Sequence, residues 1–164
     1  MKYKTTNNFL PLDFFKEIKN VVMDKEFPWR KRDHMVTGTN DSLFFTYSFF
    51  NRMAPSSELY PLYIIPILKK LQAKAPLQVR ANLSINALFK VSSWHRDHEF
   101  PCTTAILYLN DCDGGTDLQL DNKIIFIKAE ANKMLVFDTE ILHRAVTSKK
   151  EPLRYIINFN YFTQ

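Results

Sequence analysis

The sequence predicts a mostly β protein: an antiparallel double-sheet jelly roll with helices packed outside one sheet. Three observations carry this. Aromatic residues make up 14% of the chain, with 14 Phe and 7 Tyr, and these types are enriched in strands. Helical periodicity is confined to the part of the chain before Leu77. From Leu77 onward, short apolar and aromatic runs alternate with turn signals. A length of 164 residues with 46% hydrophobic content favours one domain with one core. We take residues 1–164 as that domain, with residues 1–75 as a helical support region and residues 76–164 as the jelly-roll core.

The elements follow in order. Asp13 is placed to cap a helix in which Phe14, Phe15, Ile18, Val21 and Val22 recur at helical spacing. Pro28 puts Phe27-Pro28-Trp29 beyond its end. Ser42 to Phe50 is aromatic-rich and reads as a strand. Ser56 to Leu71 reads as a second helix, with Pro61 in its first turn and Pro66 as a kink. These helices should cover one sheet face. Val79 to Phe89 and Thr103 to Leu109 are extended. Asn110 to Gly115 has turn chemistry. Thr116–Leu120 and Lys123–Ile127 flank Asp121-Asn122 as a hairpin. Lys133–Phe137 and Arg154–Phe162 complete the strands. On the last strand Tyr155, Ile157, Phe159 and Tyr161 share an apolar face suited to packing under helices. Arg154, Ile156, Asn158, Asn160 and Phe162 share the other, whose polar groups suit a ligand inside a barrel mouth. Asn51 to Glu58, polar around Pro-Ser-Ser, is a lid candidate.

The net charge of +5 and pI near 9.2 permit an acidic ligand or a loose nucleic-acid contact without demanding either. The densest basic run, Arg30-Lys31-Arg32, reads as a solvated face. Cys102 and Cys112 form neither a C-x-x-C pair nor a disulfide framework, and are expected as free thiols in a reducing compartment. Met1-Lys2-Tyr3-Lys4 leads into no apolar signal region, and no apolar run is long enough to span a bilayer, so a cytoplasmic protein without membrane contact is expected.

The chemistry centres on Trp94-His95-Arg96-Asp97 with His143 and Arg154. Residues two apart on a strand share a face, so His95 and Asp97 point together and Arg96 points away. Two imidazoles and one carboxylate make a facial triad for Fe(II) with open coordination positions. The alternative reading has His95 and His143 as unrelated core or surface groups. Arg154 offers a planar fork for a carboxylate, against the ordinary alternative of a surface ion pair. Tyr108 is placed either to donate to a bound carboxylate or to pack. Asn158 shares the face of Arg154 and could reach the same ligand. Trp94, His98 and Phe100 flank the motif as entrance or packing groups, and His34 has no partner in sequence.

These residues resemble the iron- and 2-oxoglutarate-binding pattern of Fe(II)/2-oxoglutarate-dependent dioxygenases, in the prolyl-hydroxylase-like branch. Ala105 to Asn110 is similar to the strand whose tyrosine touches 2-oxoglutarate in that branch. Gly114-Gly115-Thr116, Leu135-Val136-Phe137-Asp138 and the ending Arg154 to Phe162 fit as well. The whole chain is similar to small bacteriophage-encoded members. The resemblance implies a double-stranded β-helix fold, with Fe(II) held by His95, Asp97 and His143. It implies 2-oxoglutarate bound with its distal carboxylate on Arg154 and Tyr108. O2 completes a reaction that releases succinate and CO2 and returns a hydroxyl to substrate. The implied substrate is a protein or peptide side chain, with proline a candidate. Prolyl hydroxylases often carry a glycine ahead of the iron motif, and Asn86 to Ser93 has none. Nucleic-acid dealkylases carry a second arginine on the last strand, whereas Arg154 is the last arginine here. A nucleobase or small-molecule substrate is therefore the less favoured alternative. A non-catalytic cupin-like binding module is the alternative from another class.

Overall fold

The structure is a computed structural model describing residues 2–32, 44–86 and 91–163. Its elements are β1 (Tyr3–Thr6), α1 (Leu12–Val22), β2 (Arg30–Arg32), β3 (Phe44–Asn51), β4 (Ala54–Pro55), a π-helical turn (Tyr60–Ile64), α2 (Ile65–Lys70), β5 (Ala75–Ile85) and β6 (Thr103–Tyr108). There follow β7 (Gly115–Leu120), β8 (Lys123–Lys128), β9 (Met134–Asp138), β10 (His143–Val146) and β11 (Leu153–Phe162). The large sheet runs β1-β9-β6-β11-β5-β3-β2, with β4 paired to β3, and the small sheet runs β10-β7-β8. All pairings between these strands are antiparallel. Two further bridges, Val91↔Val146 and His95↔His143, lay the 91–95 segment along β10. This is the expected double-stranded β-helix.

The alternation on β11 separates two interiors. Ile157, Phe159 and Tyr161 point to the helix side, where they join Phe15, Ile18 and Val22 of α1 and Ile64, Ile67 and Leu68 of the second helical segment. Fully burying an apolar side chain of this size is worth about 1.5–3 kcal/mol, so this layer anchors the large sheet. On the opposite face, Ile156 joins Ile106, Tyr108, Leu118, Ile127, Leu135 and Phe137 between the two sheets. The helices therefore cover one face, and the polar face of β11 looks into the space between the sheets.

Several local outcomes differ from the sequence reading. Asp13 does not cap α1. Pro11 occupies the N-cap with φ −52° and no side-chain cap forms, while Asp13 sits in the first turn, where a carboxylate still favours the positive helix end. The second helix is split, because Pro61 and Pro66 each stand at the start of a separate short piece and neither can donate into a preceding turn. The first 75 residues also contribute β1, β2, β3 and β4 to the large sheet. The hairpin at Asp121-Asn122 forms with φ of 43° and 66°, the positive pair a two-residue turn requires. Within Asn51 to Glu58, Arg52-Met53 make a second tight turn between β3 and β4 (φ 50° and 61°), and the segment is tied to β3 by Ser56 Oγ donating to Ser48 O (3.0 Å) and by Tyr47 Oη with Ser57 Oγ (2.7 Å). Cys102 and Cys112 are free thiols. Among the described residues no helix is long and apolar enough to cross a membrane. His34 and parts of the strands expected over Ser42–Phe50 and Val79–Phe89 lie outside the described residues.

Candidate active site

His95 and His143 face each other across the bridge between the 91–95 segment and β10, each N–H donating to the other's carbonyl at 3.0 Å. Directly opposed residues on antiparallel strands project to the same side. Their imidazole centroids consequently lie 4.4 Å apart. Asp97, two residues beyond His95, brings its Oδ1 to 3.8 Å from His95 Nε2 and 3.6 Å from His143 Nε2. The three ligand atoms lie within 4.8 Å of one another.

Neighbouring groups fix which atoms face inward. His95 Nδ1 donates to Ser93 O at 3.0 Å and His143 Nδ1 to Ile141 O at 3.4 Å, which leaves both Nε2 lone pairs directed at Asp97. Asp97 Oδ2 accepts from Asn158 Nδ2 (3.0 Å) and Asn160 Nδ2 (2.8 Å), which leaves Oδ1 for the histidine side. A row of hydroxyls stands behind: Asn160 Nδ2 also donates to Thr104 Oγ1 (3.0 Å), and Thr104 and Cys102 both meet Thr139 Oγ1 (2.8 and 3.0 Å). Arg96 points away from the centre, and its Nε donates to Glu140 O at 2.8 Å, tying the His-x-Asp segment to the turn before β10.

The protonation states suit metal binding. Burial holds His143 down at about 4, against the attraction of Asp97, so its ring is neutral at pH 7. Burial alone would raise Asp97, but His143, the two asparagine amides and His95 outweigh it and hold the carboxyl at about 2. Two imidazole nitrogens and one carboxylate oxygen, within 4.8 Å of one another, fit a divalent first-row metal with an N/O preference.

Arg154 shares the cavity, of about 310 Å³, with this group. It is 3% exposed. Its Nη2 donates to Thr116 Oγ1 at 3.1 Å, its guanidinium lies 5.6 Å from the Tyr108 ring centre, and its Nε is buried without a partner. Among the described residues no carboxylate pairs with it. Burial lowers its pKa, but an arginine stays charged in any protein setting. A buried guanidinium with an orphan N–H and no counter-charge is a seat for an anion.

Tyr108 is fully buried and donates to Thr116 Oγ1 at 2.8 Å. Thr116 Oγ1 thus accepts from both Tyr108 and Arg154, so its own hydroxyl hydrogen is free for a third group, and Thr116 lines the cavity. Asn158 lines the cavity too, but its amide nitrogen is committed to Asp97 and its Oδ1 is buried without a partner. Trp94 packs under Arg144, whose guanidinium lies 4.3 Å above the ring and pairs with Asp117. His98 lies tilted against Phe100, and Phe100 stacks on Phe162. The sequence reading passed over Thr116 as a catalytic-site residue, and likewise Asn160 and Arg80. Thr116 follows the Gly-Gly pair and Asn160 lies two residues beyond Asn158, which were the available signals.

No protein-family model and no curated protein matches this chain in sequence. Solved structures match it in fold. An oxidoreductase of the 2OG-Fe(II) oxygenase family from Burkholderia pseudomallei superposes with a TM-score of 0.76 at 8% identity, over 99% of this chain and 85% of that one. A Pseudomonas putida prolyl-4-hydroxylase gives 0.72 at 16% identity, over 98% and 92%. A Trichoplax adhaerens prolyl hydroxylase, in complex with a hypoxia inducible factor oxygen degradation domain peptide fragment, gives 0.71 at 16%, over 98% and 83%. The fold of this chain is the one that this 2OG-Fe(II) oxygenase-family protein and these prolyl hydroxylases share.

Proposed function

We propose that this protein is an Fe(II)- and 2-oxoglutarate-dependent dioxygenase that hydroxylates a protein or peptide side chain, with proline a candidate. The observation that carries the reading is one cavity holding both a His-Asp-His donor set and a buried, unpaired guanidinium. A metal alone accounts for the first but not the second. A diacid that meets the metal at one end and a cation at the other accounts for both. The peptide-bound prolyl hydroxylase among the fold relatives supports a peptide substrate.

His95, Asp97 and His143 would hold Fe(II), and Arg154 with the Thr116 hydroxyl would hold the distal carboxylate of 2-oxoglutarate. Tyr108 keeps its hydroxyl proton on Thr116 Oγ1 and so turns the Thr116 hydrogen toward that carboxylate. Asn158 and Asn160 hold Asp97 in one orientation. Iron with 2-oxoglutarate supplies O2 activation coupled to oxidative decarboxylation, and the protein supplies orientation and a shielded site. Ile106 and Ile156 give the cavity an apolar wall beside these polar groups.

The test is anaerobic addition of Fe(II) and 2-oxoglutarate. A weak visible charge-transfer band is expected with wild type and not with His143→Ala, and succinate is expected when O2 is admitted. A band and turnover that survive His143→Ala would overturn the assignment. Succinate release also separates the enzyme from a cupin-like binding module.

A further inference from the structure

A second cationic site adjoins the first. Arg80, on β5, lines both the metal cavity and a neighbouring groove of about 250 Å³. Arg30 and Arg32 of β2 line the same groove. The register explains the convergence: Arg30 pairs with Thr46, Thr46 with Asn82, and Ser48 with Arg80, so all three arginines stand on the sheet face that bears the metal site. Ser56 and Asn51, held by the tight turn after β3, form a wall.

Among the described residues these cations meet no acid within the groove, and the one carboxylate that acts on Arg80 is Asp97, on the metal side. Among the described residues, no Asp or Glu lines the groove and none pairs with Arg30, Arg32 or Arg80. Other cations of this protein do pair with acids: Lys2 with Asp121, Lys133 with Glu130, Arg144 with Asp117. Arg80 makes no such pair among the described residues. Burial lowers its pKa, Asp97 offsets part of this, and the like charge of Arg32 lowers it further. Three clustered guanidinium groups, offset only in part by one carboxylate at the metal side, repel one another and are relieved by an anion.

We infer that the groove of Arg30, Arg32 and Arg80 docks an acidic segment of the substrate peptide, so that carboxylate or phosphate groups flank the residue presented to the metal. This rests on the oxygenase reading above and names its substrate class. A peptide fits better than a nucleic acid. The aromatic side chain at the groove, Tyr47, packs edge-on against Phe27 (4.6 Å) and Phe49 (5.1 Å) with its hydroxyl held by Ser57, so it offers no free stacking platform for a base.

The test uses three fluorescein-labelled peptide pools with a central proline flanked by Glu, by Gln or by phosphoserine. Binding to protein loaded with Mn(II) and 2-oxoglutarate is followed by anisotropy at low and high salt. The Glu or phosphoserine pool is expected to bind about tenfold tighter than the Gln pool at low salt, with the advantage shrinking as salt rises. Whichever acidic pool leads identifies the anion. The R30Q/R32Q double variant, both positions exposed, should lose most of that preference while its melting temperature stays put. A K69Q/K70Q/K74Q variant, altered in a basic groove elsewhere, should keep it. Equal binding of all pools, equal loss in the lysine variant, or displacement of the Glu pool by a tenfold lower concentration of single-stranded oligonucleotide would each overturn the inference. Succinate measured in the same aerobic samples with Fe(II) separates the two readings. Succinate without acidic preference sinks the groove alone, and acidic preference without succinate keeps the groove and sinks the oxygenase.

Discussion

Replacing Arg154 with Met should move two readouts in opposite directions. In the ligand-free protein the Arg154 side chain gains one charge-assisted hydrogen bond, to Thr116 at 3.1 Å, and a 5.6 Å ring contact with Tyr108. Such a hydrogen bond contributes about 1.5–3 kcal/mol and a desolvated cation–π contact about 1–2. Against this stand the desolvation of an unpaired ion, several kcal/mol after relaxation, and the orphan Nε, about 1–3 more. The balance favours Met by about 1–3 kcal/mol. Thr116 Oγ1 keeps its bond from Tyr108, so the substitution strands no acceptor. For a chain of this size each kcal/mol moves Tm by about 2–4 °C, so the ligand-free variant should melt higher. The carboxylate seat is lost at the same time. At a 2-oxoglutarate concentration a hundredfold above its Kd, wild type should gain about 2.7 kcal/mol, whereas the variant should gain almost nothing. Differential scanning fluorimetry with Mn(II), with and without 2-oxoglutarate, reads both effects. A variant that melts well below wild type yet still gains stability from 2-oxoglutarate would refute the account of Arg154 as a built-in, anion-seeking charge.

Asn160→Ala removes a 2.8 Å donor from Asp97 Oδ2 and should weaken Mn(II) affinity about 10–100-fold in competition with a fluorescent chelator, the range for groups that orient a metal ligand. The metal-free protein should lose stability with acid in two windows, followed by chemical denaturation at a series of pH values. His143, at about 4 in the fold against an ordinary 6.5, binds its proton more readily unfolded, so stability falls as pH drops from 6.5 toward 4, at about 1.4 kcal/mol per unit. Asp97, at about 2 against 3.8, contributes stability that is present above 3.8 and is lost as pH drops toward 2. Bound metal should raise stability without flattening the first window, because the protons there are taken up by the unfolded chain, and a flat metal-free profile from pH 7 to 4 would contradict the burial of His143. Gly115→Ala should destabilise by at least about 1–3 kcal/mol in a denaturant titration, because its Cβ would sit 2.0 Å from the Ile127 carbonyl oxygen on the paired strand.

Much of the fold was legible because period-two patterns and turn chemistry are local. β6, the hairpin at Asp121-Asn122 and the two faces of β11 followed from alternation and turn residues alone. β1, β2 and β10 were not legible: each is four residues or fewer, and each exists because a neighbouring strand offers a ladder. The start of α1 went to Pro11 in place of Asp13, since a fixed φ at the boundary left the carboxylate one position inside the helix.

The sequence by itself determined which groups could do chemistry: a carboxylate two residues from a histidine, a second histidine, and an arginine on a half-polar strand. Only tertiary structure decided their states. The His95–His143 bridge made two distant imidazoles neighbours, and burial made Arg154 a cation without an acid. Strand register also stood Arg30 and Arg32 beside Arg80, so that a run exposed as its charge suggests lines a groove next to the site. The physical reason is that residue type fixes a side chain's charge and donors, whereas the distance between charges and the water left around them depend on contacts between residues far apart in the chain.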